Sequence, residues 1–146
     1  MQLAAFFALC AFATAARADE TVVAYRVEGK EIRAPLTGEP GDPVRGKHAV
    51  VDREAGHCLL CHVVPQSGSR FMGDVGPTLA GVGKRFTAGE LRLRLVDASR
   101  LNPDTVMPSY YRVEGLERVA QIYRGKTVLT AQQIEDAIAY LMTLRE

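Results

Sequence analysis

Residues Cys58–His62 read CLLCH, two cysteines separated by two residues with a histidine directly behind the second. Three kinds of site use such a pair: a zinc half-site, a thioredoxin-type redox pair, and the attachment point of a c-type haem. A structural zinc site needs four ligands, usually from a second Cys or His pair at similar spacing. His48 and His57 lie too close to the motif to provide that second pair. The ligand count therefore disfavours zinc.

The flanks of the motif and its histidine separate the two remaining alternatives. A thioredoxin-type pair follows a strand of a βαβ unit, whereas the flanks here are helical in pattern and punctuated by glycine. That alternative stays open, but it gives His62 no role. Haem attachment uses all three residues, because the thiols become thioethers to the porphyrin and the imidazole reaches the iron. We predict one covalent haem c on Cys58 and Cys61, with His62 as an axial ligand.

The start of the chain has the pattern of a secretory signal. Residues 3–16 are uncharged and rich in Ala, Leu and Phe, and an A-x-A-like site ends at Ala18. We predict a signal peptide over residues 1–18, cleaved after Ala18, and a periplasmic mature protein. The alternative is a membrane anchor, but the run is shorter than the roughly 20 apolar residues that cross a bilayer.

Cleavage would remove Cys10, so Cys58 and Cys61 would be the only cysteines of the mature chain. That excludes a disulfide framework, and thioether bonds would protect both thiols in an oxidising compartment. The full sequence has a formal net charge of +1, and loss of Arg17 makes the mature chain neutral. No overall charge bias favours a nucleic-acid or membrane-surface partner.

A second axial ligand should come from a methionine or histidine downstream of His62. Met142 lies on an apolar helical stripe and is explained as core. Met72 follows His62 too closely to pass around a haem edge. Met107 lies in a loop bracketed by prolines, which fix the backbone and hold a ligand rigidly. We predict Met107 as the sixth ligand; the alternatives are Met72, a histidine and an open site.

Between these two ligands, residues 76–81 (GPTLAG) read as an irregular loop. A ligating imidazole usually donates its other N–H to a carbonyl or carboxylate. The Pro77 carbonyl could accept that hydrogen bond from His62. An ordinary turn explains the same residues, and spacing alone does not decide between them.

The rest of the pattern predicts a small all-α domain. Thr87–Glu90 and Thr130–Gln133 have capping-box spacing, and Asp42-Pro43 is a typical helix start. We predict an extended N-terminal segment over 19–42, with a short strand or hairpin turning near Gly29 within residues 20–36, and a haem domain over 43–146. Predicted helices cover residues 43–54, 87–99, 116–123 and 130–144.

One tract is locally basic, from Lys84 to Arg100. A solvated helix face explains it without a function. The alternative is a docking patch for an acidic redox partner, with Arg92 and Arg94 at its centre.

In this order, the motif, loop, methionine and C-terminal helix resemble class I cytochromes c, and more closely the SoxX family. CxxCH alone indicates only a c-type cytochrome, whereas the run DASRLNP followed by MPSYYR is more specific. The resemblance covers nearly the whole mature chain, in the segments Pro35–Gly46, Val50–His62, Gly76–Gly83, Leu91–Arg112 and Leu129–Glu146. The first helix departs from the class I pattern. It has Gly46 and Val50 where an aromatic is common, so its packing near Tyr140 is left unpredicted.

The resemblance implies a class I cytochrome c fold and a His/Met-ligated haem. It also implies a role as the monohaem electron-transfer subunit of a SoxAX complex, an L-cysteine S-thiosulfotransferase. The implied partners are a haem-bearing SoxA-type subunit, a SoxYZ-type carrier protein whose cysteine receives thiosulfate, and an acceptor cytochrome c. Because haem would consume both mature thiols, we predict no catalytic residue on this chain. A free-standing cytochrome c and a haem sensor or enzyme with an open sixth site are the alternatives.

Overall fold

The computed structural model describes residues 22–146, so the predicted signal peptide lies outside the described residues. Within this range the chain forms four α-helices and no strand: α1 (Pro43–Val51), α2 (Val82–Arg85), α3 (Ala88–Asp97) and α4 (Ala131–Thr143). Short 3₁₀ turns lie at Cys58–Leu60, Ala98–Arg100 and Gln121–Tyr123. The predicted all-α class is confirmed. Among these residues, none of the helices has the length and apolar content needed to span a membrane.

Both predicted capping boxes are present and set the first residues of the two longest helices. The Thr87 hydroxyl accepts a hydrogen bond from the Glu90 amide at 3.2 Å, and the Glu90 carboxylate accepts one from the Thr87 amide at 2.8 Å. Thr130 and Gln133 make the same reciprocal pair at 3.1 and 2.9 Å. Each box satisfies amide groups that a helix start leaves without an intrahelical partner.

Two of the predicted elements are wrong in extent. The helix predicted over residues 116–123 is reduced to the 3₁₀ turn at its end, because Arg118 has a positive φ of 54°, which interrupts a right-handed helix. The short strand or hairpin predicted over residues 20–36 is, within the described part, one antiparallel bridge between Glu28 and Glu31. Gly29, with φ of 63°, makes the turn inside it as expected.

The N-terminal helix α1 packs closely on the C-terminal helix α4. Gly46 lies at the crossing, where a Cβ atom would overlap the Asp136 carbonyl oxygen and lie 2.9 Å from the Tyr140 Cβ. Only glycine allows the two backbones to approach this far. At Gly46, where the class I pattern commonly has an aromatic residue, the two helices are therefore in close backbone contact instead.

We expect Gly46→Ala to destabilise the domain by about 1–3 kcal/mol or more, the usual cost of overpacking, even though alanine favours helix. The added methyl meets backbone, which cannot rotate aside. Urea unfolding measures the loss. Gly38→Ala is the matched control, since nothing lies within 4 Å of the Cβ it would add. Equal stability of the two variants would contradict the close crossing.

Buried polar contacts hold residues 30–36 of the N-terminal segment over α3 and α4. Arg92 donates to both oxygens of Glu135 at 2.7 and 2.8 Å, and also donates to the Ile32 carbonyl at 2.6 Å. The Leu36 amide donates to the same Glu135 carboxylate at 2.8 Å. Arg92 and Glu135 are only 4% and 5% exposed. This buried ion pair therefore joins three parts of the chain.

The prediction for the basic tract is wrong for Arg92, because a buried, fully paired guanidinium is neither a solvated face nor a docking group. Arg94 is half-buried, and its guanidinium lies 3.9 Å from the centre of the Phe86 ring. The prediction rested on the local charge balance alone, which does not show the face of α3 on which each charged side chain lies.

Candidate haem-binding site

A cavity of about 550 Å³ is lined by the CLLCH segment, the 76–82 loop, α3 and residues 101–110. Its volume lies within the roughly 300–1,000 Å³ typical of small-molecule and cofactor sites. Most of the lining is apolar and includes Val50, Leu79, Val82, Leu91, Leu95 and Leu141. The five predicted site residues also line it: Cys58, Cys61, His62, Pro77 and Met107. The cavity thus brings together residues from distant parts of the chain.

The CLLCH segment is folded as a tight turn. Residues Cys58–Leu60 form a 3₁₀ turn, and the Cys58 carbonyl accepts hydrogen bonds from the Cys61 amide at 3.1 Å and the His62 amide at 2.9 Å. His57 enters the turn in the left-handed region, with φ of 56°. This compact turn places both sulfurs and the imidazole on the same cavity.

The environment of Cys58 does not fit a redox-active pair. Burial raises the pKa of its thiol to about 11, despite a hydrogen bond with Tyr110 that acts in the opposite direction. Reactive CxxC cysteines instead have a lowered pKa, since the thiolate is the nucleophile. No strand precedes the motif among residues 22–57 either. These features disfavour the thioredoxin-type alternative.

The His62 ring is fixed by its two neighbours across the 76–77 loop. Its Nδ1 lies 2.7 Å from the Pro77 carbonyl oxygen, which can only accept, so Nδ1 carries the hydrogen. Nε2 then keeps its lone pair free for a metal. A Cβ on Gly76 would lie only 2.6 Å from Nδ1, so glycine is required beside the ring. The Pro77 contact, which spacing could not decide, is present; the need for Gly76 was not predicted.

The three candidate methionines differ in their surroundings. Met107 lines the cavity, half-buried. The Met72 sulfur accepts from the Val64 amide at 3.3 Å and the Ser67 hydroxyl at 3.4 Å, and Met72 is not among the lining residues. Met142 packs against the core and does not line the cavity. Of the three methionines in residues 22–146, only Met107 shares the cavity with His62.

The two other histidines have partners of their own. His57 lies on the cavity wall, and its Nε2 is 3.2 Å from the Tyr123 hydroxyl. His48 is exposed on α1, with Nε2 3.3 Å from an Asp52 carboxylate oxygen. Neither geometry favours a histidine over Met107.

The search for relatives gives a match among solved structures. No protein-family model and no curated protein matches this chain. The chain is similar to a chain of the crystal structure of SoxXA from P. pantotrophus, with 34% identity over 84% of this chain and 95% of that chain, and a TM-score of 0.76. The c-type cytochrome SorU from Sinorhizobium meliloti is 20% identical over 70% of this chain and 90% of that one, with a TM-score of 0.45, which is too low to carry an argument.

The helical fold around the CLLCH cavity and the similarity to the SoxXA chain define a class I c-type cytochrome. Within that class, the identity to the SoxXA chain over nearly all of its length is decisive. The chain belongs to the SoxX family.

Proposed function

We propose that this chain is the monohaem electron-transfer subunit of a periplasmic SoxAX-type complex. The complex would couple thiosulfate oxidatively to a cysteine of a SoxYZ-type carrier protein and pass the electrons to an acceptor cytochrome c. The observation that carries the proposal is the single apolar cavity on which Cys58, Cys61, His62 and Met107 converge. The similarity to a SoxXA chain supports a SoxA-type haem subunit as the partner.

The residues around the cavity fit a haem c. Cys58 and Cys61 would hold it through thioethers, and His62 Nε2 and the Met107 sulfur would be its axial ligands. Arg85 and Arg94 add two cations to a mostly apolar lining that also includes Asp104, and guanidinium groups suit the carboxylates of haem. Once bound, the haem supplies reversible one-electron chemistry at iron.

The protein tunes that chemistry through surroundings that the structure already contains. The Pro77 carbonyl fixes the imidazole tautomer, which keeps His62 oriented and raises its basicity. Ligation by Met107 together with His62 would raise the reduction potential of the haem, as suits a subunit that accepts electrons from sulfur oxidation. The apolar lining limits access of water. If His62 and Met107 both bind the iron, no position on it would be left for a substrate, and the haem would supply electron exchange alone.

The sulfur chemistry itself belongs on a partner. Haem attachment would consume both thiols of the mature chain, so no nucleophilic sulfur remains here. We therefore assign no catalytic residue to this chain and expect the purified chain alone to lack thiosulfate-coupling activity.

Substitution of the methionines in the holoprotein tests the ligation. We expect Met107→Leu to abolish the sulfur–iron charge-transfer band of the ferric form and to allow carbon monoxide to bind the ferrous form. Met72→Leu and Met142→Leu are matched controls and should leave the spectrum unchanged, because neither side chain lines the cavity. A band that survives in Met107→Leu would disprove the assignment, and ready carbon monoxide binding by the unmodified protein would favour a sensor or enzyme.

Co-purification tests the assembly. The protein isolated from its native host should carry one haem by mass and should co-elute with a second haem-staining subunit. Isolation as a monomer without a companion would contradict the proposed complex and favour a free-standing cytochrome.

A further inference from the structure

We propose that Asp97 is a positioning residue for Met107: its buried carboxylate ties the end of the Met107 loop, residues 102–109, to the last turn of α3. The inference rests on the Met107 ligation proposed above. It concerns what keeps the methionine directed at the cavity.

The contacts of Asp97 join α3 to the residues that follow Met107. One carboxylate oxygen accepts from the Ser109 hydroxyl at 2.8 Å and from the Ser99 hydroxyl at 2.5 Å. The other oxygen accepts from an Arg112 guanidinium N–H at 3.2 Å. Asp97 itself is 0% exposed, so these partners replace all of its water. The carboxylate therefore fixes Ser109, two residues beyond Met107.

The position of Asp97 on its helix is costly for an acidic group. It lies in the last turn of α3, where the helix dipole disfavours negative charge, and four residues after the buried Leu93 on the core-facing stripe. Burial by itself would raise the pKa of Asp97, but hydrogen bonds from Ser99 and Ser109 and the charge of Arg112 hold it below its usual value. The group is thus ionised at neutral pH. Ser99 and Arg100 contact it locally, whereas Ser109 and Arg112 connect it to the residues that follow Met107.

The Met107 loop depends on its two ends for its placement. At the start, the amides of Leu101 and Asn102 donate to the Ala98 carbonyl at 3.0 and 3.1 Å. Within the loop, the Met107 amide donates to Thr105 at 3.2 Å, which is only a local contact. Most of residues 102–108 are exposed. At the far end, the Tyr110 amide donates to the Leu95 carbonyl at 3.0 Å, and the Ser109 hydroxyl bond to Asp97 is the last tie between that point and Met107. Loss of the Ser109 anchor would therefore lengthen the untied part of the loop and let the methionine move relative to His62.

The affinity of the iron for a competing free ligand measures how firmly this anchor holds Met107 in place. The ferric holoprotein is titrated with imidazole, which displaces the methionine and removes the sulfur–iron band. We expect Asp97→Asn and Ser109→Ala to bind imidazole about tenfold more tightly than the unmodified protein, the effect of losing one hydrogen bond to a charged group. Ser109→Thr keeps the hydroxyl and should behave like the unmodified protein.

Asp136→Asn is the matched control for general loss of stability. Asp136 is also a buried carboxylate paired with arginine, since Arg45 donates to it at 2.7 and 2.8 Å, but it joins α4 to α1. An equal rise in imidazole affinity for Asp136→Asn, or no rise for Ser109→Ala, would overturn the inference. Ser109→Ala decides the matter if Asp97→Asn does not fold. If the unmodified ferric protein lacked the sulfur–iron band, Met107 would not be a ligand of the iron, and this inference would be wrong for that reason.

Discussion

Replacing Cys58 and Cys61 together by serine will give a colourless chain whose mass is that of the polypeptide alone. Cys58 and Cys61 line the cavity with His62, and Cys10, the third cysteine of the sequence, lies in the predicted signal peptide. Ligation of the iron by His62 and Met107 alone, without a covalent link to the cysteines, would leave the haem free to dissociate. We expect complete loss of covalent haem in the double variant.

The same variant should also be unstable, because haem provides much of the interior. A closed, dry apolar cavity costs about 24 cal/mol per Å³, which sets an upper bound on the order of 10 kcal/mol for a space of this volume that opens to water. That figure is comparable to the whole folding stability of a typical domain, about 5–15 kcal/mol. We therefore expect the serine variant to lose its cooperative thermal unfolding transition.

Mass spectrometry and haem staining after expression with cytochrome maturation proteins measure the first effect, and circular dichroism measures the second. Cys10→Ser is the control: this residue lies in the predicted signal peptide, so the mature holoprotein should be unchanged. Covalent haem retained by the double variant would disprove the attachment site.

A second large effect is expected at the buried Arg92–Glu135 pair. Arg92→Leu should cost about 3–5 kcal/mol, since it leaves the Glu135 carboxylate buried without its cation. The Ile32 carbonyl would lose its donor as well. The double variant Arg92→Leu/Glu135→Leu should be less destabilised than the single one, because it removes the buried charge altogether.

Urea unfolding of the holoprotein compares these variants with Arg33→Leu. Arg33 makes a 2.7 Å ion pair with Glu31, but its side chain is 70% exposed. Exposed pairs contribute about 0–1 kcal/mol, so this control should change little. If the Arg92 and Arg33 variants lost the same small amount of stability, the buried pair would have no special role in holding the N-terminal segment.

Local signals in the sequence predicted the parts of the fold that depend on local chemistry. Thr87 and Thr130 each start a helix because the capping residues lie within four positions of one another. The CLLCH motif and the proline-bracketed Met107 were predicted to serve one site, and they do line one cavity. That they bind a haem stays a prediction. The resemblance to the SoxX family added the fold and is confirmed by the solved SoxXA structure.

The features that were missed depend on contacts across the fold. Arg92 was counted as a surface charge because its partner, Glu135, lies on another helix. Asp97 carried a signal that was overlooked: a charged residue at an apolar stripe position, four after Leu93. The false helix over residues 116–123 failed because the left-handed Arg118 is not encoded by residue type.

The close crossing at Gly46 also sets an order of events for the nascent chain. The contact joins Gly46 to Asp136, about 90 residues further along the chain, so α1 cannot pack until α4 has been made. Closure of so long a loop is slow and cannot begin before α4 has emerged. We expect the CLLCH segment to remain accessible to the enzymes that attach haem until that late stage, so that modification precedes final compaction.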